Sequence, residues 1–265
     1  METILVMSEL RALLFDVDGT LAETEEVHRQ AFNAAFAAAG LDWVWSKDLY
    51  RELLGVTGGK ERIRHYLDTR RPDFSGPDDM AAFIAGLHQA KTAIYTQTVA
   101  SGGVPLRPGV RRLLEEARAA GLRLAIATTT TPDNVTALLQ ASLAPDAESW
   151  FEVIAAGSMV PKKKPAPDIY FHAMEYMGVE PAECLAFEDS ENGLIAARAA
   201  GLKTLVTVSD YTQGHDFSGA ALLLDQLGEP GHPFRVLAGE VNGAEYVNVD
   251  LLRRLLAADA VPMFT

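Results

Sequence analysis

The chain has 265 residues, of which 48% are hydrophobic, and this length and composition predict one large domain with a smaller one beside it. Its formal net charge of −13 argues against nucleic acid as the main partner, and an anionic substrate would need local positive charge or a metal ion at its site. Cys184 is the only cysteine, residues 1–10 lack a basic signal region and no apolar segment could span a membrane, so we expect a reducing, cytoplasmic location without a membrane partner or an evident protein partner.

The first predicted element is a buried strand at residues 13–15, which leads into Asp16, Asp18 and Gly19. An apolar run that ends in a turn signal is typical of a strand in a parallel sheet, and open α/β sheets bind ligands at the carboxyl edge of such strands. Two carboxylates one residue apart repel each other unless a cation lies between them. The pattern favours a divalent metal site over a solvated Asp-Gly turn.

The next segment is predicted to be helical throughout. Thr24 is expected to cap a helix whose first turn holds Glu25 and Glu26 and which Gly40 ends. Further helical patterns cover residues 47–54, 60–67 and 77–99, with no strand pattern between them. We therefore expect a helical cap domain at residues 24–100, inserted into a core domain formed by residues 1–23 and 101–265.

From residue 110 onward, helix and strand patterns alternate along the chain. Strands are predicted at residues 122–127, 151–155, 184–187 and 204–208, and helices at 110–121, 133–141, 168–177 and 193–200. Short connections between alternating elements predict an α/β fold with a doubly wound parallel sheet. The tail adds an expected edge strand at 220–224, a surface loop at 229–233 and a terminal helix at 249–257.

Polar residues follow each of the first strands. Threonines occupy positions 128–131, lysines positions 162–164, and Glu188-Asp189-Ser190 follow the fourth strand. Each group alone has an ordinary explanation: helix capping for the threonines and for the Glu-Asp-Ser run, and a solvated face for the lysines, of which at most one needs to point inward. His28 could likewise be a surface or core-edge histidine. Chance easily explains one such group. With Asp16 and Asp18 after the first strand there are four groups, and chance poorly explains why all four lie at the same sheet edge.

These side chains suit phosphoryl transfer. Asp16 could attack phosphorus and form an aspartyl-phosphate. Glu188 and Asp189 would add oxygen ligands to a metal, and such sites suit Mg²⁺. Thr128 and Lys164 would hold phosphoryl oxygens, so that the site works by positioning and by neutralising charge.

The motifs Asp16-Val17-Asp18-Gly19-Thr20, Thr128, Lys164 and Glu188-Asp189 resemble, in that order, the four motifs of the haloacid dehalogenase superfamily. The helical insert resembles that superfamily's smaller α-helical cap. The resemblance implies that Asp16 is the nucleophile and a Mg²⁺ ligand, and that Asp18 is the general acid and base, with its backbone carbonyl on the metal. It also implies that Glu188 and Asp189 complete the metal site.

A finer resemblance lies in residues 21–28, 56–62 and 127–130, which are similar to the CbbY branch of the superfamily. That resemblance implies hydrolysis of a small sugar bisphosphate, xylulose-1,5-bisphosphate, which inhibits Rubisco of the Calvin cycle, to xylulose 5-phosphate. It also implies that Thr129 and Lys164 hold the transferring phosphoryl group. The cap residues expected to contact the sugar or its second phosphate are Glu25, His28, Thr57, Gly58, Gly59, Lys60 and Lys91.

The sequence fits other activities less well. β-Phosphoglucomutases have an arginine in the cap loop and a Lys-Asn pair after the second motif, whereas this chain has residues 56–58 as Val-Thr-Gly and 130–132 as Thr-Thr-Pro. Phosphonate hydrolases normally lack a counterpart of Asp18, and dehalogenases do not need one. A non-catalytic sugar-phosphate-binding regulatory protein is the alternative from another class, and the intact set of Asp16, Asp18, Lys164 and Asp189 argues against it.

Overall fold

The computed structural model describes residues 9–102 and 104–258. In this part of the chain, seven strands form one sheet in the order β3-β2-β1-β4-β5-β6-β7. The strands are β1 Ala12–Phe15, β2 Arg123–Ala127, β3 Val153–Ala155, β4 Cys184–Glu188, β5 Lys203–Thr207, β6 Leu222–Leu224 and β7 Val236–Ala238. All neighbours are parallel except β6 and β7, which are antiparallel.

Helices cover both faces of the sheet and also form the segment between β1 and β2. They are α1 Glu25–Ala38, α2 Lys47–Leu53, α3 Gly59–Arg70, α4 Met80–Ala100, α5 Val110–Ala119, α6 Pro132–Ser142, α7 Asp168–Met177, α8 Glu191–Ala199 and α9 Val249–Ala257. Short 3₁₀ turns lie at Ala147–Trp150 and Pro181–Glu183. The doubly wound α/β fold predicted from the sequence is confirmed. No helix in the described ranges is both long and apolar enough to cross a membrane.

The register of the central strands determines where the polar side chains meet. Phe15, the last residue of β1, lies opposite Ile126 of β2 and Phe187 of β4. Alternate residues of these strands enter different cores, so that Phe15 and Ile126 pack on one face of the sheet and Leu14 and Ala125 on the other. Because the three strands are level, the residues that follow them emerge together at the carboxyl edge.

Helices α1 to α4 have an aromatic core of their own, which includes Phe32, Phe36, Trp43 and Trp45. Tyr211, which follows β5, is the one buried side chain from outside residues 24–100 in that cluster as described. This separate core supports the proposed division into a cap at 24–100 and a core domain from the remaining residues.

The chain passes between the two parts through two paired segments. Ala22 and Leu106 form an antiparallel bridge, and the Arg107 N–H donates to the Leu21 carbonyl at 2.8 Å. The buried Arg107 guanidinium donates to the carbonyl oxygens of Gly19, Thr207, Val208 and Asp225. One cation therefore holds both segments to the ends of β5 and β6.

The structure differs from the sequence predictions in local details, of which the clearest concern Thr24, the start of α4 and strand β7. The Thr24 side chain makes no capping bond, because its hydroxyl donates to Asp18 instead. The last helix of the insert begins at Met80 rather than at residue 77, since Asp79 caps it by accepting from the Ala82 N–H at 2.9 Å. Strand β7 was not predicted, because its three residues are exposed and carry no alternating pattern.

Candidate active site

Lys164 joins the first, second and fourth strands at the sheet edge. Its Nζ lies 2.8 Å from Asp16 Oδ1, 2.6 Å from Glu188 Oε1 and 2.8 Å from the Ala127 carbonyl oxygen. Burial alone would lower the pKa of Lys164, but Asp16 and Glu188 raise it above the ordinary value of a lysine. The site therefore contains a permanent ammonium group beside the carboxylate that follows β1.

Asp16, Glu188 and Asp189 form a buried acidic cluster with one oxygen of each within 4.8 Å of the others. Burial raises the pKa of Asp16 to about 7, with Lys164 opposing the shift and Glu188 adding to it. Burial, together with Asp16 and Glu188, also holds the pKa of Asp189 well above its ordinary value. Glu188 Oε2 has no hydrogen-bond partner among the described residues. The cluster thus has more negative charge than Lys164 neutralises, and its all-oxygen donor set fits Mg²⁺.

Two glycines let these carboxylates approach the backbone. A Cβ on Gly19, whose φ is +82°, would overlap the Asp189 carboxylate. A Cβ on Gly193, in the first turn of α8, would overlap the Glu188 carboxylate. Glycine at both positions is therefore a steric requirement of the acidic cluster.

Asp18 lies outside this cluster and is held by the helical insert. Its Oδ1 accepts a hydrogen bond from the Thr24 hydroxyl at 2.5 Å and lies 2.9 Å from His28 Nε2. Burial would raise the pKa of Asp18, but His28, Thr24 and Lys91 together lower it well below the ordinary value. Asp18 is therefore ionised in this arrangement, in which its side chain faces the insert rather than the acidic cluster.

His28 connects Asp18 with a second buried cation. Its Nδ1 lies 2.6 Å from Lys91 Nζ, and its ring stacks on Tyr95 with centroids 4.0 Å apart. Burial lowers the pKa of Lys91 to about 8. His28 itself is only 4% exposed, so its interpretation as a surface histidine is wrong.

The threonines after β2 line the site rather than cap a helix through their side chains. Thr128 is buried, and its N–H donates to the Ala155 carbonyl at 3.0 Å. Thr131 is the N-cap residue of α6, but its side chain makes no capping bond. Thr128 and Thr129 both face the cleft described next.

A cleft of about 270 Å³ lies between the sheet edge and helices α1, α3 and α4. This volume is close to the lower end of the range of roughly 300–1,000 Å³ that is usual for small-molecule sites. The predicted site residues that line the cleft are Asp16, Asp18, Glu25, His28, Thr57, Gly58, Gly59, Lys60, Lys91, Thr128, Thr129, Lys164 and Asp189. Glu188 lies beneath the cleft, where it contacts Lys164.

Arg62, His88 and Lys163 also line this cleft, and none of them was among the predicted site residues. Arg62 donates to the Tyr50 hydroxyl at 3.1 Å, and that hydroxyl in turn donates to Glu25 at 2.8 Å. Arg62 is the last residue of the 56–62 stretch that resembles the CbbY branch, so the sequence did indicate its position near the site. His88 had no signal in the sequence, because its position beside Gly59 depends on the packing of α4 on α3.

The lysine run behaves differently from the expectation that at most one member needs to point inward. Lys164 is buried at Asp16, Lys162 is exposed, and Lys163 forms an ion pair with Glu61 of α3 at 2.8 Å. The expectation of a solvated face was therefore wrong for Lys163.

A further contact between the two parts of the chain comes from Asn192, whose side-chain amide donates to Thr57 Oγ1 at 3.2 Å.

Residues 10–201 match the haloacid dehalogenase-like hydrolase family. The chain is 60% identical over 212 residues to the protein CbbY of Rhodobacter capsulatus, which covers 80% of this chain and 91% of that protein. It is 42% identical over 223 residues to a CBBY-like protein of Arabidopsis thaliana, covering 83% of this chain and 70% of the relative.

The fold is also similar to that of a solved relative. A crystal structure of a CbbY mutant from Rhodobacter sphaeroides, in complex with xylulose-(1,5)bisphosphate, superposes with a TM-score of 0.77 at 50% identity. The match covers 82% of this chain and 94% of that one.

Proposed function

The chain belongs to the haloacid dehalogenase-like hydrolase family, and we propose that it is a magnesium-dependent phosphatase that converts xylulose-1,5-bisphosphate to xylulose 5-phosphate. The observation that carries this proposal is the contact of Lys164 with both Asp16 and Glu188 at the base of a cleft lined by cationic side chains. The choice of substrate is supported by the similarity to a CbbY protein crystallised with this bisphosphate.

In the first half-reaction, an Asp16 carboxylate oxygen attacks the phosphorus of the C1 phosphate. A bond forms between Asp16 and phosphorus, and the bond from phosphorus to the sugar oxygen breaks. Lys164, Thr128 and Thr129 are the groups that we assign to the phosphoryl oxygens, and they neutralise and position the transferring group. The leaving oxygen takes a proton from Asp18 and departs as the sugar hydroxyl.

In the second half-reaction, Asp18 accepts a proton from a water molecule that attacks the phosphorus of the aspartyl-phosphate. The bond to Asp16 breaks, inorganic phosphate leaves, and Asp16 returns to its starting state. Asp18 ends this cycle protonated and gives up this proton again when phosphate leaves, since the free structure holds it ionised.

Asp18 needs a proton before the first half-reaction, although the free structure holds it ionised. A substrate phosphate beside Asp18 raises its pKa by like-charge repulsion. His28 Nε2, at 2.9 Å, is the nearest ring nitrogen that can supply a proton, and Lys91 lies behind it at 2.6 Å from Nδ1. We therefore assign His28 and Lys91 to holding and supplying the proton of Asp18.

Mg²⁺ would be held by Asp16, Glu188, Asp189 and the backbone carbonyl of Asp18. When bound, it neutralises negative charge that gathers on the phosphoryl group during transfer. The unpartnered Oε2 of Glu188 supports this assignment as an available oxygen ligand. The pKa values of Asp16 and Asp189, raised first by burial and then by neighbouring carboxylates, also support it, because a bound cation would stabilise their ionised forms.

The activity is tested by phosphate release from a panel of sugar mono- and bisphosphates. We expect the highest kcat/KM for xylulose-1,5-bisphosphate and little hydrolysis of ribulose-1,5-bisphosphate, which a carbon-fixing cell must keep. Efficient hydrolysis of ribulose-1,5-bisphosphate would contradict the substrate assignment. A mutase would instead yield an isomeric sugar phosphate without releasing phosphate, and product analysis separates the two activities.

Removal of divalent metal is expected to abolish turnover, and Mg²⁺ is expected to restore it. Mg²⁺ should also raise the thermal midpoint of the wild type, because a ligand at 100 times its Kd adds about 2.7 kcal/mol of stability. Asp189→Asn should show a much smaller rise, since it lacks one of the assigned ligands. Turnover that survives chelation, together with a midpoint that does not respond to Mg²⁺, would refute the metal site.

Lys60→Ala is expected to raise KM by roughly 10- to 100-fold for xylulose-1,5-bisphosphate and to leave KM for xylulose 1-phosphate nearly unchanged, because one charge-assisted contact is worth about 1.5–3 kcal/mol. Both substrates present the same C1 phosphate, and only the first has a second one. Backbone N–H groups of Gly58 and Gly59 beside this ammonium suit a phosphate. Equal changes for the two substrates would show that residues 57–60 do not contact the second phosphate.

A further inference from the structure

Lys163 and Glu61 form an ion pair across the cleft. Lys163 lies in the loop before α7, Glu61 lies in the first turn of α3, and Nζ is 2.8 Å from both carboxylate oxygens. The Lys163 side chain is 19% exposed and that of Glu61 is 47% exposed. The pair is therefore accessible from the cleft, which Lys163 lines, and it joins the insert to the core.

The Glu61 carboxylate occupies a position that would suit any anion, whether it belongs to a side chain or to a bound ligand. Gly58 is the N-cap residue of α3 and has no side chain with which to cap it, and a Cβ there would overlap both the carboxylate and the Lys163 ammonium. Burial would raise the pKa of Glu61, but Lys163, the backbone N–H of Glu61 and Lys60 lower it below its ordinary value. A side chain of the protein thus sits where cations and the start of a helix converge.

His88 lies among the positive charges at this end of the cleft. Burial and the charges of Lys91, Lys60 and Lys163 together lower the pKa of His88 to about 4, with Glu61 opposing the shift. Lys60 has no ion-pair or hydrogen-bond partner within the described ranges. The charges of Lys60 and Lys163 therefore exceed that of Glu61, which leaves this end of the cleft able to accept more negative charge.

We propose that Lys163 binds the substrate's second phosphate together with Lys60, and that Glu61 is a counter-ion which this phosphate displaces. The proposal rests on the proposed function and specifies how that function selects a bisphosphate. A phosphate dianion has more charge and more acceptor oxygens than the Glu61 carboxylate, so it can replace Glu61 at Lys163. A sugar hydroxyl has no charge and leaves the ion pair intact.

The arrangement distinguishes substrates through both its partners. Lys163 adds affinity only for substrates that carry a second anion, because Glu61 remains its partner whenever an uncharged group lies there. Because Lys60 and Glu61 belong to α3 and Lys163 precedes α7, the subsite is complete only when the insert and the core are in contact.

The test compares Lys163→Met and Glu61→Gln with wild type on xylulose-1,5-bisphosphate and xylulose 1-phosphate. Lys163→Met should raise KM for the bisphosphate about tenfold, which corresponds to about 1.4 kcal/mol, and leave the monophosphate unaffected. Glu61→Gln should lower KM for the bisphosphate several-fold, because the competing carboxylate is gone, again without effect on the monophosphate. Lys162→Met and Glu175→Gln, which change exposed residues of the same types outside the cleft, are the controls.

Direct binding separates this proposal from the proposed function. In an Asp16→Asn background, calorimetric titration with each ligand should reproduce the same ratios without turnover, and thermal midpoints should show that each variant is folded. If wild type hydrolyses xylulose-1,5-bisphosphate but Lys163→Met changes KM equally for both substrates, the proposed function stands and the proposed subsite is wrong. A loss of kcat for both substrates in Glu61→Gln would show that the ion pair is a permanent structural contact between the insert and the core. That result would also overturn the proposed subsite. If wild type releases no phosphate from the bisphosphate, the proposed function is wrong and the subsite falls with it.

Discussion

Asp16→Asn is expected to reduce phosphate release from xylulose-1,5-bisphosphate by roughly four to six orders of magnitude, which is the scale of loss when one member of a nucleophilic catalytic group is removed. The amide keeps the size and most contacts of the carboxylate but cannot attack phosphorus. Lys164 retains Glu188 at 2.6 Å as its ion-pair partner, so the site should keep its shape. Substrate binding is therefore expected to persist.

The stability of this variant gives a second measurement. The metal-free wild type holds three buried carboxylates close together, and burial raises the pKa of Asp16 to about 7. Removal of one of these charges lowers the repulsion in the cluster, so the metal-free variant should be no less stable than wild type in a thermal melt. Asp146→Asn, at an exposed position outside the cleft, is the control for the chemical change itself.

Turnover that survives in Asp16→Asn would exclude the aspartyl-phosphate mechanism. Loss of both turnover and fold would instead show that the Asp16 charge is needed to neutralise Lys164. The melt and the titration with substrate distinguish these two results.

Asp18→Asn is expected to lower kcat for the sugar phosphate by about 10²–10⁴, the usual contribution of a general acid or base. The first half-reaction needs a proton for the sugar oxygen, and the second needs a base for water. With p-nitrophenyl phosphate the leaving group needs no proton, so only the second half-reaction should be slow.

Rapid mixing with this aryl phosphate should then give a burst of about one nitrophenolate per active site, followed by a slow steady state. Wild type should show a smaller burst or none, because its second half-reaction is assisted. If the burst phase of Asp18→Asn is slowed as much as the steady state, Asp18 acts through the metal site rather than as an acid. Measuring Mg²⁺ affinity by calorimetry in the same variant checks that alternative.

The sequence was sufficient to predict the sheet edge and the residues that meet there. Residues 13–15 form part of β1, and the apolar strand patterns with short connections determine a parallel sheet whose carboxyl ends coincide. Lys164 reaches this edge from the loop before α7. Once the strands are level, Asp16, Glu188 and Asp189 have to lie near each other. Their proximity follows from strand order and register more than from any long-range contact.

The cleft wall opposite the sheet was harder to predict, because it depends on how helices pack. Glu61 and Lys163 are separated by 102 positions in the chain, and no periodicity connects them. Thr24 has the sequence position of a helix cap, but Asp18, six positions earlier, offers its hydroxyl a charged acceptor, which is stronger than a backbone N–H contact. The local sequence limits which contacts a side chain can make, and the charges around it in the folded protein determine which contact forms.

The contacts of Asp18 with Thr24 and His28, and of His28 with Lys91, have a consequence for how such enzymes diversify. The insert enters and leaves at a single paired crossing, which makes it a natural unit of exchange between related genes. Yet the partners of Asp18 all lie at residues 24–91, inside that unit. A foreign insert would therefore replace both the cap side of the cleft and the side chains that hold Asp18. We expect recombinants to survive only where the donor supplies a hydroxyl, an imidazole and an ammonium at matching positions, so these three residues should be inherited together.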